Sequence, residues 1–234
     1  MMLIIGMTLE QMQKQVSDDY LLLSRYLDTL SGRFRYWADR AKDGESTSVH
    51  WKSKNGNQWE TILVKCKNEV SMVSFTWIES SAGRFVFKAQ MTLHGYVLLI
   101  FIPHFFRRYR ERMNLGNKQT PMQIIKRYLK KNRSGHTTYK GDGKMEITFE
   151  EGVGLGLVLG LRTRLIKTFI TYDMAFNNQA KRFNESEEHR KMYSEFGYYN
   201  DEAMDEMRML GISDKEALDV MKEKYSDLFT KNEK

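Results

Sequence analysis

Apolar residues recur at three- and four-residue steps in TLEQMQKQVSDDYLLLSRYLDTL, through Leu9, Met12, Val16, Tyr20, Leu23, Leu27 and Leu30, which predicts an amphipathic helix. Thr8 and Gln11 stand at the spacing of a capping box that would start it. From Ser46 the period changes to two. STSVHWKSKNGNQWETILVKC predicts two strands joined near Asn55-Gly56, a favoured tight-turn pair. VSMVSFTWIESSAGRFVFKAQM predicts two more, turning near Ser80–Gly83, and HGYVLLIFI a buried fifth.

Pro103 suits the first position of a helix, because its missing N–H has no partner to lose there. That helix, PHFFRRYRERMNL, is expected to stop at Gly116. A second begins with Thr120 as cap, Pro121 at the first position and Gln123 completing the box. The β pattern then returns. SGHTTYKGDG reads as a loop, and MEITFE, GVGLGLVLG and LIKTFITYD read as strands. The last 60 residues read as acidic amphipathic helices, with Met204, Met207, Leu218, Met221, Tyr225 and Phe229 on their apolar faces and Ser213 and Glu216 capping one. The fold class is α+β. A largely antiparallel sheet is flanked by N-terminal helices, a central basic helical pair and C-terminal acidic helices. We divide the chain into a helical segment 1–45, an α+β core 46–173 and a helical segment 174–234.

With 234 residues and 41% hydrophobic content the chain can bury a sizeable core. One cysteine, Cys66, excludes an internal disulfide framework and fits a reducing compartment. The apolar start carries no positive n-region and no small-residue cleavage site, and no apolar run approaches the ~20 residues that cross a bilayer. A cytoplasmic protein without membrane contact is expected. Residues 103–140 hold eleven basic groups against one acidic group, whereas residues 173–234 hold ten against fifteen. The net charge of +7 is therefore concentrated in one short segment, and a local field of that kind attracts polyanions. The acidic tail can shield it or be an ordinary solvated face.

On the helix opened by Pro103, residues Phe105, Phe106, Tyr109 and Met113 share one face, and His104, Arg107, Arg108 and Glu111 the opposite one. Histidine exchanges protons near neutrality, arginine forks grip phosphate, and a helix N-terminus offers free N–H groups. Such a set can cleave RNA without a metal: a base takes the ribose 2′-hydroxyl proton, and arginines stabilise the charge that builds on phosphorus. An Arg107–Glu111 surface pair on a solvated helix is the plainer reading. RFRYWADRA interleaves arginines with aromatics; it can stack on nucleobases or pack as an ordinary helix.

The order PHFFRRYRERM, a glycine-studded strand and then KTFITYD resembles the barnase–EndoU–colicin–RelE superfamily of metal-independent ribonucleases, in its phage and toxin branches, over about residues 95–173. The resemblance implies an N-terminal helix followed by a short antiparallel sheet. It implies catalytic roles for His104 and Arg108, as a His-x-x-x-Arg helix, and for Thr171 and Tyr172 on a late strand. Nucleic-acid contacts are expected from Arg107, Arg112, Lys126, Arg127, Lys130 and Lys131, and from Lys167, placed on the strand face of Thr171. RNA is the favoured polyanion, an inhibitor or other protein is a candidate partner, and no cofactor is called for. A non-catalytic nucleic-acid-binding protein using 103–140, or an interaction protein whose basic and acidic parts pair, are the alternatives. Gly152, Gly154, Gly156 and Gly160 lack the lysine and hydroxyl of a phosphate loop, and read as points of close backbone approach. His136 is a second acid–base candidate, while Glu187, Glu188 and His189 make no complete metal-ligand set.

Overall fold

The computed structural model describes residues 2–67, 69–92, 95–140, 143–160, 162–174 and 201–212. Helices α1 (Leu9–Thr29) and α2 (Ser31–Ala38) lead, followed by strands β1 (Ser46–Lys52), β2 (Gln58–Cys66), β3 (Glu69–Ser80), β4 (Gly83–Thr92) and β5 (Gly95–Phe101). Helices α3 (Pro103–Arg112) and α4 (Pro121–Lys131) come next, then β6 (His136–Tyr139), β7 (Lys144–Thr148), β8 (Val153–Gly160) and β9 (Thr163–Ile170). Helix α5 (Asp201–Met209) follows. The positions Leu218, Met221, Tyr225, Phe229, Ser213, Glu216, Glu187, Glu188 and His189 lie outside the described residues.

The nine strands form one sheet in the order β1-β2-β3-β4-β5-β9-β8-β7-β6. Every neighbouring pair is antiparallel except β5 with β9. Short hairpin turns produce the antiparallel pairs; the parallel pair arises because α3, α4 and three strands separate β5 from β9, which is room for a crossover. Alternation of side chains sorts the core into two layers. On β4, Phe85, Phe87 and Ala89 join Met12, Val16 and Leu23 of α1 and Ala203 and Met207 of α5. Val86, between them, joins Phe105, Phe106 and Tyr109 of α3 and Ile124, Ile125, Tyr128 and Leu129 of α4. The sheet is thus covered by α1 and α5 on one face and by α3 and α4 on the other.

Both predicted capping boxes form, at Thr8–Gln11 and Thr120–Gln123. The α3 stop differs from expectation. The helix ends at Arg112, and the left-handed backbone falls on Asn114 (φ 49°) rather than on Gly116; asparagine tolerates that conformation because its short polar side chain bonds locally. The stretch around His136, read as a loop, is instead edge strand β6, paired with β7. Gly152 and Gly156 behave as close-approach positions. A Cβ on Gly156 would stand 2.0 Å from the Leu165 carbonyl oxygen, and one on Gly152 2.3 Å from that of Ile170.

Candidate nucleic-acid interface

Ile102 is extended and Pro103 turns the chain into α3 at the end of the buried strand β5. This places His104 in the first helical turn, where it was expected to face a guest phosphate. The structure fills that place with the protein's own carboxylates. Glu206 of α5 accepts the backbone N–H of His104 at 2.7 Å and an Arg107 N–H at 2.7 Å. Glu202, one turn earlier on α5, accepts from Arg107 at 2.6 Å and lies 3.4 Å from His104 Nδ1. Free N–H groups at the positive end of a helix, beside an arginine fork, attract an anion, and here two glutamates spaced at i and i+4 supply it.

His104, placed by the helical period opposite the apolar face, is nevertheless buried. It is 1% exposed. Arg108 Nε donates to its Nε2 at 3.3 Å, so the ring accepts at Nε2, and a neutral ring then carries its proton on Nδ1, towards Glu202. Burial, then the Arg108 and Arg107 charges, hold the His104 pKa down to about 4 against the opposite pull of Glu202. Burial raises the pKa of Glu206, while the His104 N–H and Arg107 draw it back. Arg108 also bonds Glu111 at 2.7 Å. The plain surface pair expected at Arg107–Glu111 is thus made by Arg108 instead.

The late-strand residues are arranged differently from expectation. Strand β9 ends at Ile170, so Thr171 follows it and Tyr172 opens a helical turn. The Tyr172 hydroxyl donates to the Phe149 carbonyl, and its ring packs with Val153, Leu155 and Ile170. Leu155 pairs with Thr168 but Gly156 pairs with Ile166, which leaves Lys167 as the extra residue of a bulge. The bulge breaks the alternation that put Lys167 on the Thr171 face, and Lys167 is 1% exposed. Arg112 is half-buried and donates to the Phe169 carbonyl; burial, then Arg108, lowers its pKa to about 10. His104 and Arg108 are brought together as the motif implied. Tyr172, Arg112 and Lys167 serve local backbone or interior positions.

Helix α4 shows both kinds of cation. Ile124, Ile125, Tyr128 and Leu129 bury one face, so Lys126, Arg127, Lys130 and Lys131 share the other. Lys126 reaches the buried Glu60 of β2 at 2.6 Å. Arg127 lies 3.3 Å from Glu151, which also accepts from Tyr109 at 2.6 Å and Asn132 at 2.9 Å. Lys130 and Lys131 hold no carboxylate among the described residues, and neither do Lys118, Arg110 or Arg133. Arg110 bonds the α3–α4 loop at Gly116 and Asn117. These free cations flank α4 at both ends, about 16 Å apart for eleven helical residues.

Reading along the sequence missed three polar sites. Glu151 ties α3, α4 and the β7–β8 turn together. Asp19 is fully buried and accepts from Gln15, Asn55, Asn57 and the Trp59 indole, pinning the β1–β2 turn to α1. Lys88 lies buried on β4, donates to the Arg133 carbonyl at 2.6 Å, and has its pKa lowered by burial to about 8. In a strand of alternating type, only the inward phase of Lys88, between Val86 and Gln90, hints at this. No protein-family model matches the chain, and no curated protein or solved structure does either. The ribonuclease resemblance rests on its short motif alone.

Proposed function

We propose that the protein binds nucleic acid, RNA before DNA, along the outer face of α4 and without cutting it at His104. The observation that carries this reading is the division of the basic segment. Arg107, Arg108, Lys126, Arg127 and Lys140 bond carboxylates of the same chain, whereas Arg110, Lys118, Lys130, Lys131 and Arg133 do not. Cations in the last turn of a helix also complement its dipole, which accounts for Lys130, Lys131 and Arg110 but not for Lys118 or Arg133. Cations without internal carboxylates release counterions from a phosphate backbone when they bind it.

The ribonuclease reading requires a second arrangement. His104 would have to lose its cover, and the N-terminus of α3 would have to exchange Glu206 for a phosphate. What supports it is the meeting of His104 and Arg108 at the His-x-x-x-Arg spacing; Arg108 would have to release Nε2 before the imidazole could take a proton. One experiment separates the two. Purified protein is mixed with RNA at low salt in the presence of a chelator. The expected outcome is a salt-sensitive complex with the RNA intact. Cleavage that disappears in His104→Ala, with the fold retained, would establish the ribonuclease instead. No complex at low salt would leave an interaction protein whose free cations meet an acidic partner.

A further inference from the structure

Between α2 and the outermost strand β1 runs an open groove of about 740 Å³, lined by Tyr26, Phe34, Tyr36, Trp37, Arg33 and Thr47, among others. Its walls come from the RFRYWADRA stretch, which here does more than pack. Tyr36 is 63% exposed, and Arg40 lies over its ring, 3.5 Å from the centroid. Arg33 and Arg35 are exposed and hold no carboxylate among the described residues. β1 pairs only with β2, so its outer edge offers unpaired backbone N–H and C=O groups.

We infer that this groove takes unstacked bases of a single-stranded nucleic acid, one or two at a time, against Tyr36 and Trp37, with the adjoining phosphate on Arg33. The inference rests on the nucleic-acid reading above and adds the form of the ligand. Aromatic faces beside free guanidinium groups match the two halves of a nucleotide, a flat base and an anionic linker. An apolar peptide strand would answer the rings and the β1 edge but leave Arg33 without a counter-charge. A duplex keeps its bases stacked and cannot present them to the rings. The groove and α4 lie over opposite faces of the sheet, yet both sit at its β1–β2 end: Lys126 of α4 bonds Glu60 of β2, and His50 of β1 lies 3.8 Å from the same carboxylate. A flexible strand can turn around that edge and meet both surfaces; a stiff duplex cannot.

The test compares an unstructured RNA of about 12 nucleotides, within the usual span of single-strand sites, with a duplex of the same length. Affinities are read by anisotropy, and the groove tryptophan by the part of the fluorescence quenching that Trp37→Phe removes, since the chain holds four tryptophans. The full chain is used as wild type, Tyr36→Ala, Arg33→Ala and Lys130→Ala/Lys131→Ala. Both groove positions are exposed, so their variants keep the wild-type circular dichroism. Tyr36→Ala is expected to weaken single-strand binding about tenfold and leave duplex binding unchanged. Arg33→Ala weakens single-strand binding and lowers its salt slope by about 0.7. If the α4 variant loses affinity while both groove variants bind the single strand as wild type does, the groove assignment falls and the α4 reading stands. If the wild type binds no RNA at low salt, both fall. Quenching by an apolar peptide but not by the RNA identifies a peptide groove and overturns the inference.

Discussion

At the scale of single residues, His104 shows how burial changes what a titratable group can do. The folded chain holds its proton only below about pH 4, whereas the group ordinarily titrates at 6.5. The unfolded chain therefore binds the proton first as pH falls. Stability from this group is complete above about pH 6.5 and is lost as pH falls towards 4, by an amount on the order of 3 kcal/mol. Glu206 acts in the opposite direction, because its raised pKa lets the folded state take up a proton and recover part of the loss. Urea titrations at pH 7 and pH 4.5 check this: His104→Gln should lose less stability than wild type between the two pH values. An equal loss would mean that the imidazole is not held neutral. The charge pattern of 103–140 was legible in the sequence, but the burial of His104 was not, since its cover comes from residues about 100 positions away. Lys167 was misplaced for a related reason: a bulge follows from the pairing partner and leaves no mark in a period of two.

At the scale of elements, local signals transferred well wherever local chemistry decides. Thr8, Thr120 and Pro121 announced their helices because a cap is satisfied within one turn. Strand β6 was missed because its HTTY is short and mostly exposed, held by β7 rather than by a core face of its own. Helix α5 is the element with the largest consequence for the site. Its Ala203 and Met207 are buried in the α1 layer, while Glu202 and Glu206 reach the start of α3. Glu206→Ala should cost about 2 kcal/mol, because the His104 N–H loses its acceptor and Arg107 keeps Glu202 as its one carboxylate beside the Ala82 carbonyl; chemical denaturation measures it, and a cost below about 0.5 kcal/mol would show that the contact is incidental. Between β8 and β9, Gly156→Ala places a methyl group against the Leu165 carbonyl and should destabilise by at least about 2 kcal/mol, or displace the bulge. Wild-type stability for this variant would contradict the tight approach.

At the scale of the whole molecule, the charged residues fall into two regions with different surroundings. Where α3 meets α5, basic and acidic parts of the chain neutralise each other, so His104 is buried and Arg107 is held by carboxylates of the same chain. Around α4 and the α2–β1 groove, cations and aromatic rings remain open to a partner. No helix among the described residues is long and apolar enough to cross a membrane. The order of helices and strands was readable from periodicity, and so was the α+β class. The pairing of β5 with β9, and the sorting of helices between the two faces, depend on contacts that no local pattern encodes. In the proposed function, the lysines of α4 without internal carboxylates meet the phosphates of a nucleic acid. The most direct measurement is the slope of log affinity against log salt for one single-stranded RNA, compared between wild type and Lys130→Ala/Lys131→Ala. The expected result is weaker binding and a slope shallower by about 1.4, two phosphate contacts at about 0.7 each. An unchanged slope and affinity, with the fold intact, would contradict it.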